Sequence, residues 1–143
     1  MREILFRGKR CDNSEWVQGY YIRAEHHWHN HGIHKDWITL GASANGGWFA
    51  LHNKYAVKSE TVGQFTGLTD KNGKKIFEGD IVRCISMTDM ANMVVIFEDG
   101  EFRMVLCEKY KDYIPGCGFY AIRCFDKEVI GNIHDNPELL ENP

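Results

Sequence analysis

The chain has 143 residues, 43% of them hydrophobic and 13% aromatic, the make-up of a folded domain with a buried core rather than of a long disordered segment. Its net charge of −3, with histidines neutral, is the wrong sign for gripping duplex nucleic acid by charge alone. No apolar run approaches roughly 18 residues and the start MREILFRGKRC has no secretory h-region, so the expectation is a soluble, cytoplasmic protein with no membrane contact.

Taken in chain order, REILFRG and EWVQGYYIR read as the first two strands, joined through Asp12-Asn13-Ser14. AEHHWHNHGIHK is polar and biased toward histidine, and reads as an exposed strand end or loop. WITLG and WFALH form a second pair around Ala42 to Gly47, where Asn45-Gly46-Gly47 tolerates positive φ. YAVK follows after Asn53-Lys54. VGQFTGL and KIFEGDIVRCI then flank Asp70-Lys71-Asn72-Gly73. Asn72-Gly73 between two β-rich runs is a strong hairpin signal, because a type I′ turn needs positive φ at both central residues. MVVIFE and EFRMVLCE repeat the pattern around Asp99-Gly100, and GFYAIRCF and EVIGNI supply two more strands linked by Asp126-Lys127. At the end, Asn136 is placed to cap a short helix, NPELLE, with Pro137 at its first position. Such a helix is too short to stand alone and must pack its two leucines on the body of the protein.

Short alternating segments with closely spaced turn signals predict an all-β fold, a barrel or sandwich without crossover helices. The expected division is an irregular N-terminal β meander over 1–60, a small closed barrel over 61–135 and a short helical tail over 136–143.

The central stretch TVGQFTGLTDKNGKKIFEGDIVR invites comparison with a phosphate-binding loop, and fails it. Five residues separate Gly67 from Gly73 where the motif needs four, and Lys75 stands where Ser or Thr would hold Mg²⁺. A phosphate loop also opens a helix, whereas Lys75-Ile76-Phe77 continues as strand. Asn72 and Gly73 are therefore assigned to a turn. Gly79 and Asp80 of FEGD are likewise structural, Gly79 allowing a bend or bulge and Asp80 bonding nearby amides.

HHWHNHGIH, His26 to His34, holds five histidines in nine residues. On an extended chain His27, His29 and His31 project to one face, and neutral imidazoles suit Zn²⁺, Ni²⁺ or Cu²⁺. Three rings along one flat strand do not converge on an ion without a bend or a further ligand such as Glu25 or Asp36. A polar exposed loop is the simpler account. The five cysteines, Cys11, Cys84, Cys107, Cys117 and Cys124, are odd in number, widely spaced and without a C-x-x-C pair, which fits reduced thiols. No G-x-S-x-G elbow or local catalytic cysteine signature occurs, so no enzyme and no cofactor are expected.

Basic residues cluster at Arg2, Arg7, Lys9 and Arg10 and again at Lys71, Lys74 and Lys75, while aromatics crowd the N-terminal half. Lys71, Lys74 and Lys75 with aromatics such as Trp16 and Tyr20 make single-stranded nucleic-acid binding the second functional reading, and metal binding by His27, His29 and His31 the third. The first is protein binding, because Trp and Tyr are enriched at protein interfaces and the overall charge is acidic. Edge strands of a small β protein further predict a homo-oligomer.

Three ordered stretches resemble the YopX-like family of phage and prophage proteins: REILFRGKRCDNSEWVQGYYI, TVGQFTGLTDKNGKKIFEGDIVR and EVIGNIHDNPELL. The resemblance spans nearly the whole chain, the His-rich segment and the region from Ser86 to Cys117 excepted. It implies an all-β protein with an irregular N-terminal portion and an SH3-like barrel beginning around EGDIV, encoded by a phage or prophage. It carries no catalytic residues, substrate or cofactor. The resulting expectation is a non-enzymatic accessory protein that contacts a host or phage protein.

Overall fold

A computed structural model describes residues 1–28, 32–45, 48–85, 90–107, 120–121 and 126–141. Its strands are β1 (Phe6–Lys9), β2 (Trp16–Trp28), β3 (Gly32–Asn45), β4 (Trp48–Ala56), β5 (Gly63–Thr69), β6 (Lys75–Phe77), β7 (Asp80–Ile85), β8 (Met90–Glu98), β9 (Glu101–Leu106), β10 (Tyr120–Ala121) and β11 (Asp126–Asn132). The protein is all-β, with two antiparallel sheets and short 3-10 turns at Ser59–Thr61 and Pro137–Leu140. It divides into two compact units, Met1–Gln64 and Phe65–Pro143.

In the first unit the strand order is β4-β3-β2-β1, and Gly63 and Gln64 at the start of β5 pair with β1. β2 and β3 run on into the histidine-biased segment, where His26 pairs with His34 and Trp28 with Gly32. WFALH and the first two residues of YAVK form a single strand, β4. Asn53, which the sequence suggests as a break between them, instead takes φ 48 inside the strand, a left-handed conformation that asparagine tolerates better than most residues.

One face of this sheet buries Ile38 and Val57, with the Phe6 and Tyr21 rings 5.3 Å apart beside them. Asp36 is buried on the same face, where its carboxylate accepts hydrogen bonds from the Tyr21 and Ser59 hydroxyls. That one side chain ties β3 to β2 and to the 3-10 turn at Ser59–Thr61. Burial opposes its charge, but the Ser59 and Tyr21 hydrogen bonds, with Arg23 and Lys35 nearby, outweigh burial and hold the carboxyl below its ordinary range.

The second unit is built on the β7-β8-β9 meander, with β11 paired to β7 and β10 to β9. Both faces of the meander are buried. Ile76, Val82, Cys84, Met93, Val95, Met104 and Val129 form one cluster, and Ile81, Val94, Cys107 and Leu140 the other. This explains why MVVIFE reads as a continuous apolar run instead of an alternating one. KIFEGDIVRCI is not one strand but two, because the chain turns at Glu78-Gly79. Gly79 has φ 83 there, and Asp80 Oδ2 accepts the Phe77 amide at 2.8 Å.

The tail Pro137–Leu140 is a 3-10 turn, and Asn136 does not cap it with its side chain. Asn136 Oδ1 instead accepts the Asn132 amide at 3.3 Å, which turns the capping group back toward β11. Leu139 and Leu140 do pack on the second cluster. Neither sheet closes on itself among the described residues.

Candidate functional site

The central stretch is a hairpin whose tip is fastened to β11. Buried Asp70 starts the turn, and its Oδ1 accepts the amides of Asn72 at 2.8 Å and Lys74 at 2.9 Å. Its Oδ2 accepts the Val129 amide of β11 at 3.0 Å. The Lys71 amide adds a bond to the Lys127 carbonyl at 3.0 Å. Only Gly73, with φ 81, is left-handed; Asn72 is not, so the turn is not type I′. The Asp70 carboxylate imposes a different geometry, bonding amides two and four residues onward in the manner of an Asx turn. Asp99-Gly100 does have positive φ at both central residues, 50 and 81, as a type I′ turn requires.

This geometry occupies two of the three hairpin lysines. Lys71 Nζ lies 2.8 Å from Glu128 Oε2, and Lys75 Nζ stands 5.0 Å above the Phe65 ring. Lys74 is exposed. The Lys71 hydrogen bond and charge hold the Glu128 carboxyl below its ordinary range. Asn72, Gly73, Gly79 and Asp80 serve the turns on either side of β6.

Lys71, Lys74 and Lys75 belong to the second unit, and Trp16 and Tyr20 to the first. In the first unit, a different set of cations meets those rings. Directly opposed residues of an antiparallel ladder share a face. By that register β1 contributes Arg7 and Lys9, β2 contributes Trp16 and Tyr20, β3 contributes Trp37 and β4 contributes Lys54 to one face. The Arg7 guanidinium lies 4.7 Å and Lys9 Nζ 5.7 Å from the Trp16 ring centre. Lys54 Nζ lies 5.7 Å from that of Trp37. Tyr20 is 57% exposed. Such an array attracts anions and planar groups. The sequence points to Trp16 and Tyr20 but not to Trp37 or Lys54, because only the β2-β3-β4 register shows that they share the face.

Among the histidines singled out for metal binding, His27 lies on β2, its backbone paired with Ile33. His29 and His31 lie outside the described residues. Among the described residues no three His, Cys, Asp or Glu side chains gather as a metal-binding group. Cys11, Cys84 and Cys107 are free thiols, the last two buried; Cys117 and Cys124 lie outside the described residues. No helix among the described residues is long and apolar enough to cross a membrane.

A family model described as YopX protein matches residues 5–141. The chain belongs to the YopX family. Its central hairpin, with Asp70 at the turn and Gly79-Asp80 beyond, lies wholly within the matched region. Among solved structures, this YopX-family chain is similar to the crystal structure of protein EF1440 from Enterococcus faecalis, at 22% identity and a TM-score of 0.54. The match covers 98% of this chain and 99% of that one, and at such identity the likeness is one of fold. No curated protein matches the chain.

Proposed function

We propose that this YopX-family chain is a non-enzymatic accessory protein of a phage or prophage, acting in the bacterial cytoplasm by binding a host or phage protein. The observation that carries this reading is a contrast in how side chains are used. Carboxylates suited to proton transfer are spent on structure: Asp70 on three backbone amides, Asp80 on the Phe77 amide, Asp36 on two hydroxyls. Burial, with Cys84 nearby, pushes the Cys107 thiol up to about 11, and burial also raises Cys84, so neither supplies a thiolate at neutral pH.

Large apolar side chains, by contrast, stand in solvent. Leu40 is 51% and Leu51 40% exposed, and exposed Ala42 is paired directly with Leu51, so the three make a contiguous apolar patch on the β3-β4 hairpin. Patches of this kind mark protein contacts. The β7-β8-β9 meander flanked by β11 supports reading the second unit as SH3-like, the finer fold that the resemblance implies.

The test is capture from a bacterial host lysate, with and without nuclease, using a tag free of histidine. A nuclease-resistant protein partner is expected, and the Leu40→Asp, Leu51→Asp double variant should lose at least about tenfold of its capture, since each leucine buried at an interface contributes roughly 1.5–3 kcal/mol. Its melting temperature should hold, because both leucines are exposed. Undiminished capture by a folded double variant overturns the patch, and absence of any protein partner overturns the reading. A homo-oligomer completes the proposal, with a second copy covering an edge such as β4, the outermost strand of its sheet; a strict monomer in light scattering removes that part.

A further inference from the structure

We propose that the first unit carries a second binding activity, for single-stranded nucleic acid, on the sheet face formed by Lys9, Trp16, Tyr20, Trp37 and Lys54, with Arg7 buried against the Trp16 ring. It goes beyond protein binding and uses a different face, since Leu40 and Leu51 project from the opposite side of the β3-β4 hairpin.

The first argument is segregation of charge. The whole chain is acidic, at −3, yet the strand residues that the register places on this face, from Arg7 through Lys54, include no aspartate or glutamate. Asp36, the acidic residue within the paired β2-β3 core, lies on the other face and is buried. The face therefore complements an anion although the molecule as a whole does not.

The second argument concerns the shape of that anion. Lysines alone would serve any polyanion, but here rings alternate with cations. Trp16 and Tyr20 are four residues apart on β2, roughly 13 Å at strand rise, and Trp37 on β3 is the diagonal neighbour of Tyr20, roughly 7–8 Å away. Lys54 lies at the Trp37 end and Lys9 at the Trp16 end, where the guanidinium of buried Arg7 adds its charge behind the ring. A row of rings with cations at both ends matches bases stacked on aromatics with phosphates running alongside, a sequence-tolerant mode of recognition worth about 1–3 kcal/mol per stacked base. An acidic peptide would use the cations but gain nothing particular from the rings. A duplex hides its base faces, so the same platform discriminates against it.

The hairpin lysines of the second unit are poorer candidates. Lys71 is engaged by Glu128, and a carboxylate so close to the turn repels phosphate.

The test is fluorescence anisotropy with a labelled oligothymidylate of about twelve nucleotides at low salt, against a duplex of equal length and with polyglutamate as competitor. Expected are preference for the single strand and affinity falling with salt at a log–log slope of roughly −0.7 per phosphate engaged. Tyr20→Ala should weaken binding about 5- to 100-fold and Tyr20→Phe should not, because the stacking ring remains. Lys54→Glu should flatten the salt slope, while Lys71→Ala, Lys74→Ala and Lys75→Ala together should leave affinity nearly unchanged. Absent binding, equal affinity for duplex, equal displacement by polyglutamate, or binding unaffected by Tyr20→Ala would each overturn the proposal. None of these outcomes bears on the Leu40 and Leu51 patch, whose test is protein capture.

Discussion

Replacing Asp70 with alanine should lower the unfolding free energy by roughly 3–5 kcal/mol, measured by urea denaturation. One buried carboxylate accepts three backbone amides, two within the hairpin turn and one from β11, fifty-nine residues away. Hydrogen bonds to a charged group contribute about 1.5–3 kcal/mol each, less where water can replace the acceptor. The Asn72 and Lys74 amides belong to exposed residues, whereas Val129 is buried and its amide would be left without an acceptor. Asp70→Asn should cost less, because an amide oxygen still serves one side of the site. Lys71→Ala is the contrasting change: its ion pair with Glu128 is solvent-exposed, so its loss should be barely measurable. If Asp70→Ala proves as mild as Lys71→Ala, the carboxylate does not fasten the hairpin.

The same group gives the stability a pH dependence of known sign. Burial raises the Asp70 carboxyl, but the amides of Val129, Lys74 and Asn72, with the Lys74 charge, more than offset it, so the folded protein holds the acid below its ordinary range. A carboxyl depressed by folding contributes stability above its unfolded value of about 3.9, and that contribution disappears as pH falls through the folded value. Asp36 acts in the same direction in the first unit. Wild-type stability should therefore decline as pH drops below about 4, and more steeply than that of Asp70→Asn. Parallel curves for the two proteins would show that Asp70 does not titrate with unfolding.

How much of the fold and of the face is legible in the sequence depends on the range of the interactions. Asp99-Gly100 is a local signal in a local turn, and its dihedrals are those the dipeptide demands. Asn72-Gly73 carries the same signal and marks the right place, yet the turn differs because Asp70 is drawn by Val129, a partner no neighbouring residue reveals. The break in KIFEGDIVRCI is visible as Gly79, but not as two strands, since the Gly79 amide bonds the Val95 carbonyl of β8. Asn53-Lys54 resembles a loop because asparagine usually punctuates strands, while the long ladder with β3 carries the chain through it. The cation and ring face is least legible of all. Lys54 meets Trp37 only through the β3-β4 register, and register is fixed by the whole hairpin.

Gly19→Ala should be the most damaging small substitution in the first unit, at about 2–4 kcal/mol, because overpacking against backbone cannot be relieved by rotating a side chain. A Cβ there would lie 2.3 Å from the Thr39 carbonyl oxygen and 3.0 Å from Ile38 Cγ2. Thr39 is itself buried, its hydroxyl shared between the Gly41 and His52 carbonyls, so neither strand yields easily. Gly41→Ala is the internal control. It lies in the same sheet, without positive φ, and a methyl group added there would meet nothing within 4 Å, so the change should be neutral or slightly stabilising by up to about 1 kcal/mol. Thermal unfolding of the pair decides the matter: equal melting temperatures would mean that β2 and β3 are not held together at Gly19. The consequence reaches the binding face as well. Tyr20 follows Gly19 directly and pairs with Thr39, so a shift that relieves the clash displaces the exposed ring from Trp37 and Lys54. Gly19→Ala should thus weaken oligothymidylate binding alongside stability, whereas Tyr20→Ala should weaken binding alone.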